Sequence, residues 1–190
     1  MNTKLLIGLS IGILLIGLGL FGFGLKPQSI PQPQSSPTPL VENTPQATFS
    51  AVVNIEGEKA LVTKVVDGDT IDLDTGQAVR LIGIDTPETV DPRRPVGCFG
   101  KEASNETKSL VSGRQVILQK DVSEKDKYDR LLRYVFLPLD NGQLLFVNDY
   151  LVREGYAKVL TYPPDVKYNE QFRQAELEAR SAKKGLWGRC

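Results

Sequence analysis

The chain has 190 residues, in which 23 Lys and Arg are balanced by 23 Asp and Glu, and it contains no histidine. The lack of histidine excludes Ser-His-Asp and Cys-His catalysis and every histidine-ligated metal centre. Two cysteines cannot make a four-cysteine zinc site, so Cys98 and Cys190 form either one disulfide or two free thiols. Any chemistry must come from carboxylates, arginines, tyrosines or a hard metal ion.

An uncharged apolar segment covers residues 5–25, between Lys4 and Lys26. As a helix it would be about 30 Å long, enough to cross the core of a bilayer. No small-x-small cleavage site follows it, which favours an uncleaved signal anchor over a cleaved signal peptide. We therefore expect residues 1–25 to anchor the protein in a membrane, with the rest extracytoplasmic; secretion after cleavage is the alternative.

Residues 26–50 form a proline-rich spacer. Half of the 12 prolines lie between residues 26 and 48, with little charge. Such a composition favours a semi-extended linker. Residues 51–190 then remain for one folded domain, which is enough to build a core.

The remaining sequence predicts six strands and three helices. The strands cover residues 60–66, 70–74, 78–84, 116–118, 131–137 and 144–146, with turns at Thr75-Gly76 and Asn141-Gly142. The helices cover residues 98–111, 148–154 and 166–184. The last helix carries an apolar stripe at helical spacing: Tyr168, Phe172, Ala175, Ala179 and Ala182. This order predicts an α+β fold, an OB-like antiparallel barrel with helices packed on it.

Two acidic segments flank the first predicted hairpin. They are VDGDT at residues 66–70 and RLIGIDTPET at residues 80–89. Each alone is more typical of a turn or a strand end, but a hairpin brings both to its open end. Oxygen ligands from two segments then converge, which suits calcium or magnesium.

The register of this hairpin presents a difficulty. A two-residue turn would place Asp69 opposite Ile82, and a straight strand would put Arg80 and Asp85 on opposite faces. We therefore expect a bulge or bend at Gly83.

A third charged segment, KDKYDR at residues 125–130, precedes the strand 131–137. It is either a solvated connection or part of a site. Arg130 and Arg80 favour the second interpretation, because a planar guanidinium can grip two phosphate oxygens.

These segments, with LVREGYAKV at residues 151–159, resemble the staphylococcal nuclease family in order and approximate spacing. The resemblance covers roughly residues 58–187. It implies a five-stranded OB barrel with about three helices, and hydrolysis of DNA and RNA to 5′-hydroxyl and 3′-phosphate ends. It also implies one calcium ion, little sequence preference and a preference for single strands; we expect a monomer.

The resemblance also implies roles for individual residues. Asp69 and Asp85 would bind calcium by their carboxylates and Thr86 by its backbone carbonyl. Glu88 would position or deprotonate the attacking water, with Arg80 and Arg130 holding the phosphate. The candidates for contacts with the rest of the substrate are Lys127, Tyr128 and Tyr162, and Asp67 is assigned a supporting role behind the metal ligands.

The sequence departs from the family pattern in two places. Asp129 replaces the glycine usual between the tyrosine and arginine of the third motif, and only Tyr162 remains of the base-stacking tyrosines. Tyr128 is either a ligand of a terminal phosphate or a half-buried core residue. These departures leave a rival hypothesis, an OB module that binds nucleic acid without cutting it. An extracytoplasmic location would favour a disulfide between Cys98 and Cys190.

Overall fold

A computed structural model describes residues 55–190 of the chain. The predicted anchor (1–25) and the proline-rich spacer (26–50) lie outside the described residues. Within residues 55–190, no helix combines the length and the apolar character needed to cross a bilayer.

Eight strands and four helices make up this part of the chain. The strands are β1 (Glu58–Asp67), β2 (Thr70–Leu73), β3 (Ala78–Leu81), β4 (Ile84–Asp85), β5 (Gln115–Gln119), β6 (Leu131–Pro138), β7 (Leu144–Phe146) and β8 (Lys158–Val159). The helices are α1 (Gly100–Val111), α2 (Val147–Arg153), α3 (Asn169–Ser181) and the four-residue α4 (Leu186–Arg189).

Five of the strands close into a barrel. The sheet runs in the order β3-β2-β1-β5-β6-β7, and β3 also pairs with β6, which closes the ring. The closing pair is parallel, whereas the other pairs in this sheet are antiparallel. The predicted OB-like α+β fold is confirmed, with a mixed rather than a wholly antiparallel barrel.

The first hairpin has a longer turn than the sequence suggested. Thr70 pairs with Arg80 and Asp72 with Ala78, so three residues rather than two separate Leu73 from Gln77. Gly76 takes a positive φ of 79° in this turn, which glycine adopts readily. The register is therefore shifted by one residue from the pairing of Asp69 with Ile82 that a two-residue turn would give, and the N–H of Leu81 donates to the Asp69 carbonyl at 3.0 Å.

The predicted strand 78–84 is in fact two strands separated by a bend. β3 ends at Leu81, and β4 pairs with β8, with Ile84 opposite Val159. Gly83 lies in the bend with φ of 80°, and a Cβ there would come within 2.5 Å of the Phe172 ring. The expected bend at Gly83 is confirmed, and the close contact with α3 adds a second reason for glycine.

The helices cover the barrel with narrow apolar faces. α1 buries Ala103, Thr107 and Val111, and α3 buries Phe172, Ala175 and Ala179. α3 is shorter than the predicted 166–184, and Ala182 at its end is exposed. Full burial of Phe172 contributes on the order of 1.5–3 kcal/mol to folding.

A disulfide joins Cys98, which precedes α1, to Cys190 at the end of the described chain, with Cα atoms 6.0 Å apart. Of the two possible states of the cysteines, one disulfide or two free thiols, the structure has the disulfide. The bond fixes the C-terminal turn next to the segment that leads into α1.

Candidate active site

The acidic segments and two arginines line one open cleft at the end of the barrel. The cleft has a volume of about 450 Å³. The β1–β2 turn, the strands β3 and β4, the segment that follows β4 and the segment before β6 each contribute side chains to it. Its charged and polar lining includes Asp67, Asp69, Thr70, Arg80, Asp85, Thr86, Glu88, Arg94, Tyr128 and Arg130.

Asp69 is the buried centre of the cleft, with 6% of its surface exposed. Its Oδ2 atom accepts hydrogen bonds from the backbone N–H of Thr86 at 2.9 Å and from the Thr86 hydroxyl at 3.0 Å. The same oxygen lies 2.8 Å from Nη1 of Arg80. This one carboxylate therefore ties the β1–β2 turn to the segment after β4.

Arg80 also brings Asp85 into the cluster. Its Nη2 donates to Oδ1 of Asp85 at 3.0 Å, because the bend at Gly83 reverses the face on which Asp85 lies. Partial desolvation raises the pKa of Asp85, opposed by Arg80 and reinforced by the charges of Asp69 and Glu88. The cleft thus concentrates negative charge around one guanidinium.

The donor set fits a hard cation. Asp69 and Asp85 contact the same guanidinium at 2.8 and 3.0 Å, so their carboxylates converge from two chain segments. Hard oxygen donors of this kind are typical of calcium and magnesium sites. Within residues 55–190, no three Asp, Glu, His or Cys side chains come together as a metal cluster. A bound ion would accordingly need the backbone carbonyl of Thr86 or water besides the two carboxylates.

Glu88 is held by the turn that follows it. Its Oε1 accepts the backbone N–H groups of Thr89, Val90 and Asp91 at 3.0, 2.8 and 3.1 Å. These bonds, chiefly the one from Val90, lower the pKa of Glu88 despite some desolvation. The carboxylate is therefore ionised at neutral pH, with Oε1 fixed to the backbone.

Asp67 lines the cleft and supports the segment that carries Glu88. Its Oδ1 accepts the Gly68 N–H at 2.8 Å and the Thr89 hydroxyl at 2.6 Å. Burial raises the pKa of Asp67 in spite of these bonds. Its position links the β1–β2 turn to the segment that carries Glu88.

Two threonines complete this support and were not predicted from the sequence. Besides Thr89, the buried Thr107 on α1 donates to the Gly68 carbonyl at 2.7 Å. The signal available in the sequence is a hydroxyl on an otherwise apolar face of the predicted helix 98–111.

Arg130 lies across the cleft from these acids. Its guanidinium bonds Asp126, with Nε at 2.8 Å and Nη2 at 2.6 Å, and its Nη1 donates to the Thr70 hydroxyl at 3.3 Å. Asp126 was not predicted as a site residue. Its carboxylate orients Arg130 toward the same cleft that Arg80 lines.

A second cavity, also of about 450 Å³, adjoins the first and shares Arg80, Tyr128 and Arg130 with it. Lys127 and Tyr162 line this second cavity, together with Leu160. Tyr128 is 68% exposed and Tyr162 75% exposed. Tyr128 is therefore not a core residue, and both rings have faces available to a ligand.

Asp129 takes the position of the family's usual glycine with a positive φ of 66°. Its carboxylate pairs with Lys125 at 2.9 Å and is 84% exposed. The added negative charge therefore has its own cationic partner. Arg130 instead pairs with Asp126.

The sequence profile described as "Staphylococcal nuclease homologue" matches residues 78–189, more than half of the chain. A protein named thermonuclease from Staphylococcus intermedius is 45% identical over 139 residues, covering 72% of this chain and 80% of that protein.

Two further relatives also have names that describe nucleases. A thermonuclease from Staphylococcus hyicus is 45% identical over 129 residues, covering 66% of this chain and 73% of that protein. Endonuclease YncB from Bacillus subtilis (strain 168) is 38% identical over 131 residues, covering 66% of this chain and 60% of that protein.

Proposed function

The chain belongs to the staphylococcal nuclease family, and from this membership we propose that it is a calcium-dependent nuclease that hydrolyses DNA and RNA with little sequence specificity. The observation that carries the proposal is the placement of Arg80 and Arg130 on one cleft with Asp69, Asp85 and Glu88. Guanidinium groups that face converging carboxylates provide both a phosphate grip and the groups needed for hydrolysis.

The two arginines bind the scissile phosphate. Each presents a planar fork of N–H donors, and each is already oriented by a carboxylate, Arg80 by Asp69 and Arg130 by Asp126. Such preorganised donors stabilise the charge that develops on phosphate oxygens in the transition state.

Glu88 positions or deprotonates the attacking water. Its backbone bonds leave the carboxylate ionised, and no histidine is present in the sequence to take this role. We expect activity to rise toward alkaline pH, where hydroxide is more available. An optimum near pH 5 would count against this role.

Asp69 and Asp85, with the Thr86 carbonyl, would hold one calcium ion. When bound, the ion supplies Lewis-acid stabilisation of negative charge on the phosphoryl group. The same two carboxylates also hold the guanidinium of Arg80, which binds the phosphate, in place. Glu88 is held separately, by hydrogen bonds from the backbone N–H groups of residues 89–91.

Lys127, Tyr128 and Tyr162 bind the nucleotides next to the cut. The two exposed rings offer stacking faces, and Lys127 Nζ lies 4.9 Å from the centre of the Tyr128 ring. Stacking on such rings requires unpaired bases, which favours single-stranded substrate. Cleavage would leave 5′-hydroxyl and 3′-phosphate ends.

We further propose an extracytoplasmic, monomeric protein, anchored through residues 1–25 or secreted after cleavage of that segment. The bond between Cys98 and Cys190 supports this location, because structural disulfides persist in oxidising compartments.

The proposal is tested by digesting denatured DNA and RNA with the full chain in calcium, in magnesium and in chelator. We expect cutting in calcium that falls by at least about 100-fold in Glu88→Gln and in Arg130→Ala. Arg173→Ala, an exposed arginine on α3, is the matched control and should cut normally. Binding without cutting in any metal would favour the OB module that does not cleave.

A further inference from the structure

Two loops each form a wall of the second cavity. The first, residues 120–130, carries Lys127 and Tyr128, and the second, residues 160–168, carries Tyr162. These three residues are the ones proposed above to bind the nucleotides next to the cut. Contacts between the two loops therefore influence how these residues are placed for substrate binding.

Asp165 reaches from the second wall to the first. Its Oδ1 accepts the backbone N–H groups of Val122 at 3.0 Å and Ser123 at 2.8 Å. The residue is only 4% exposed, and it lines the cavity beside Ser123. A buried carboxylate with two backbone donors is a strong tie, because loss of the acceptor leaves both donors unpaired.

Asp121 makes the reverse connection. Its Oδ2 accepts the backbone N–H of Lys167 at 3.0 Å, and it also accepts the hydroxyl of Tyr134 at 2.9 Å. Tyr134 belongs to β6 and is buried, so the tie extends to the barrel. Each wall thus contributes one carboxylate that binds the backbone of the other.

The tyrosine on the second wall is tied directly to Asp165. The backbone N–H of Asp165 donates to the Tyr162 carbonyl at 3.1 Å, and these two residues form an isolated bridge. A shift of Asp165 therefore moves Tyr162. Arg80 and Glu88, by contrast, are fixed by other contacts, to Asp69 and to residues 89–91.

We propose that Asp121 and Asp165 form a carboxylate latch that sets the width of the nucleotide-binding cavity. Asp165 is a positioning residue in this arrangement: it acts on the substrate through the placement of Tyr162 and Tyr128 and does not contact the scissile phosphate. The proposal rests on the proposed function, since it assigns this cavity to the bases of a nucleic acid.

The test compares the full chain with Asp165→Ala and Asp165→Asn. Binding of a fluorescein-labelled oligothymidine is followed by anisotropy in chelator, and cleavage of the same oligonucleotide is followed in calcium. The matched control is Asp149→Ala, which removes a carboxylate that pairs with Arg153 on α2, outside the cavity. Urea unfolding of all four proteins reports stability separately.

We expect Asp165→Ala to raise both the Kd and the KM about ten-fold, with kcat within about two-fold of wild type. Asp165→Asn should show a smaller rise, because the amide oxygen still accepts from Val122 and Ser123. Asp149→Ala should leave the Kd unchanged. If Asp165→Ala does not fold, Asp165→Asn and Asp121→Asn carry the same comparison.

An unchanged Kd in Asp165→Ala would overturn the latch, as would a fall in kcat with the Kd unaltered. No binding by the wild-type chain would also overturn it, because the cavity would then hold no nucleic acid. Binding without cleavage by the wild-type chain would instead contradict the proposed catalysis. In that case the Kd values of the variants still decide whether the latch exists.

Discussion

The backbone N–H and the side-chain hydroxyl of Thr86 both donate to the same oxygen of Asp69, at 2.9 and 3.0 Å. Arg80 contacts this oxygen as well, at 2.8 Å. One buried carboxylate oxygen thus positions a neighbour of Asp85 and one of the two arginines that we propose bind the phosphate. The geometry of the cleft depends on contacts of this kind, between residues that are distant in sequence.

Gly83 is expected to be less replaceable than Gly142, another turn glycine with a positive φ. Gly83→Ala combines a positive φ with a clash against Phe172, whereas Gly142→Ala has a similar φ of 79° and open space around it. We expect Gly142→Ala to lower the free energy of unfolding by about 1 kcal/mol. The clash should cost Gly83→Ala about 1–3 kcal/mol more. Urea unfolding measures both, and equal losses would show that the contact with Phe172 is easily relaxed.

Thr107→Val should weaken both the fold and the cleft. The substitution keeps the shape of the side chain but leaves the Gly68 carbonyl without its 2.7 Å donor. We expect a loss of about 1–3 kcal/mol in the free energy of unfolding. Thr107→Ser, which retains the hydroxyl, should keep the hydrogen bond and lose less. If the serine variant is the less stable of the two, the methyl group and not the hydrogen bond is what matters.

The ion pair of Asp126 with Arg130 should contribute to acid sensitivity. Desolvation alone would raise the pKa of Asp126, but hydrogen bonds from Arg130 and the backbone outweigh it and lower the pKa below the ordinary 3.8. The unfolded chain then binds the proton more tightly than the folded chain. The stabilisation is therefore present above the ordinary pKa and is lost as pH falls through the lower folded value.

Asp126→Asn should accordingly flatten the dependence of unfolding free energy on pH in the acid range, below about pH 5. Urea unfolding at a series of pH values measures this slope. A slope equal to that of the wild-type protein would mean that Asp126 contributes nothing to acid sensitivity. Because Asp126 orients Arg130, the same variant should also cleave more slowly at neutral pH.

Removal of the disulfide should destabilise the domain. The bond closes a loop with a sequence separation of 92 residues. Cys98→Ser with Cys190→Ser should lower the free energy of unfolding by about 2–5 kcal/mol. A reductant should lower the stability of the wild-type protein and leave the double variant unaffected. Equal stabilities of the oxidised wild-type protein and the variant would contradict a stabilising role.

Local patterns in the sequence were sufficient to predict most of the strands and helices. Alternation located β2, and the apolar stripe located α3, because both signals arise from neighbouring residues. The register of the first hairpin differs by one residue from that of a two-residue turn, since three residues separate Leu73 from Gln77. The division of residues 78–84 into two strands depends on β8, which is distant in sequence.

Prediction of the candidate site from the sequence was limited in the same way, to signals carried by neighbouring residues. The acids and arginines were identified through their motifs, and the structure brings them to one cleft. The supporting contacts were not foreseen, because Thr107 and Gly68 are 39 residues apart and Asp165 and Val122 are 43 residues apart. Contacts over such separations follow from the closure of the barrel and leave no local pattern in the sequence.

Calcium-dependent hydrolysis at this cleft is tested most directly by the mass of the products made from a defined DNA oligonucleotide in calcium and ¹⁸O-labelled water. Attack of water on phosphorus with departure of the 5′ oxygen should give 5′-hydroxyl ends and 3′-phosphate ends that carry one ¹⁸O atom. Glu88→Gln should give these products far more slowly. An oligonucleotide that is bound but stays intact would contradict phosphodiester hydrolysis at this cleft.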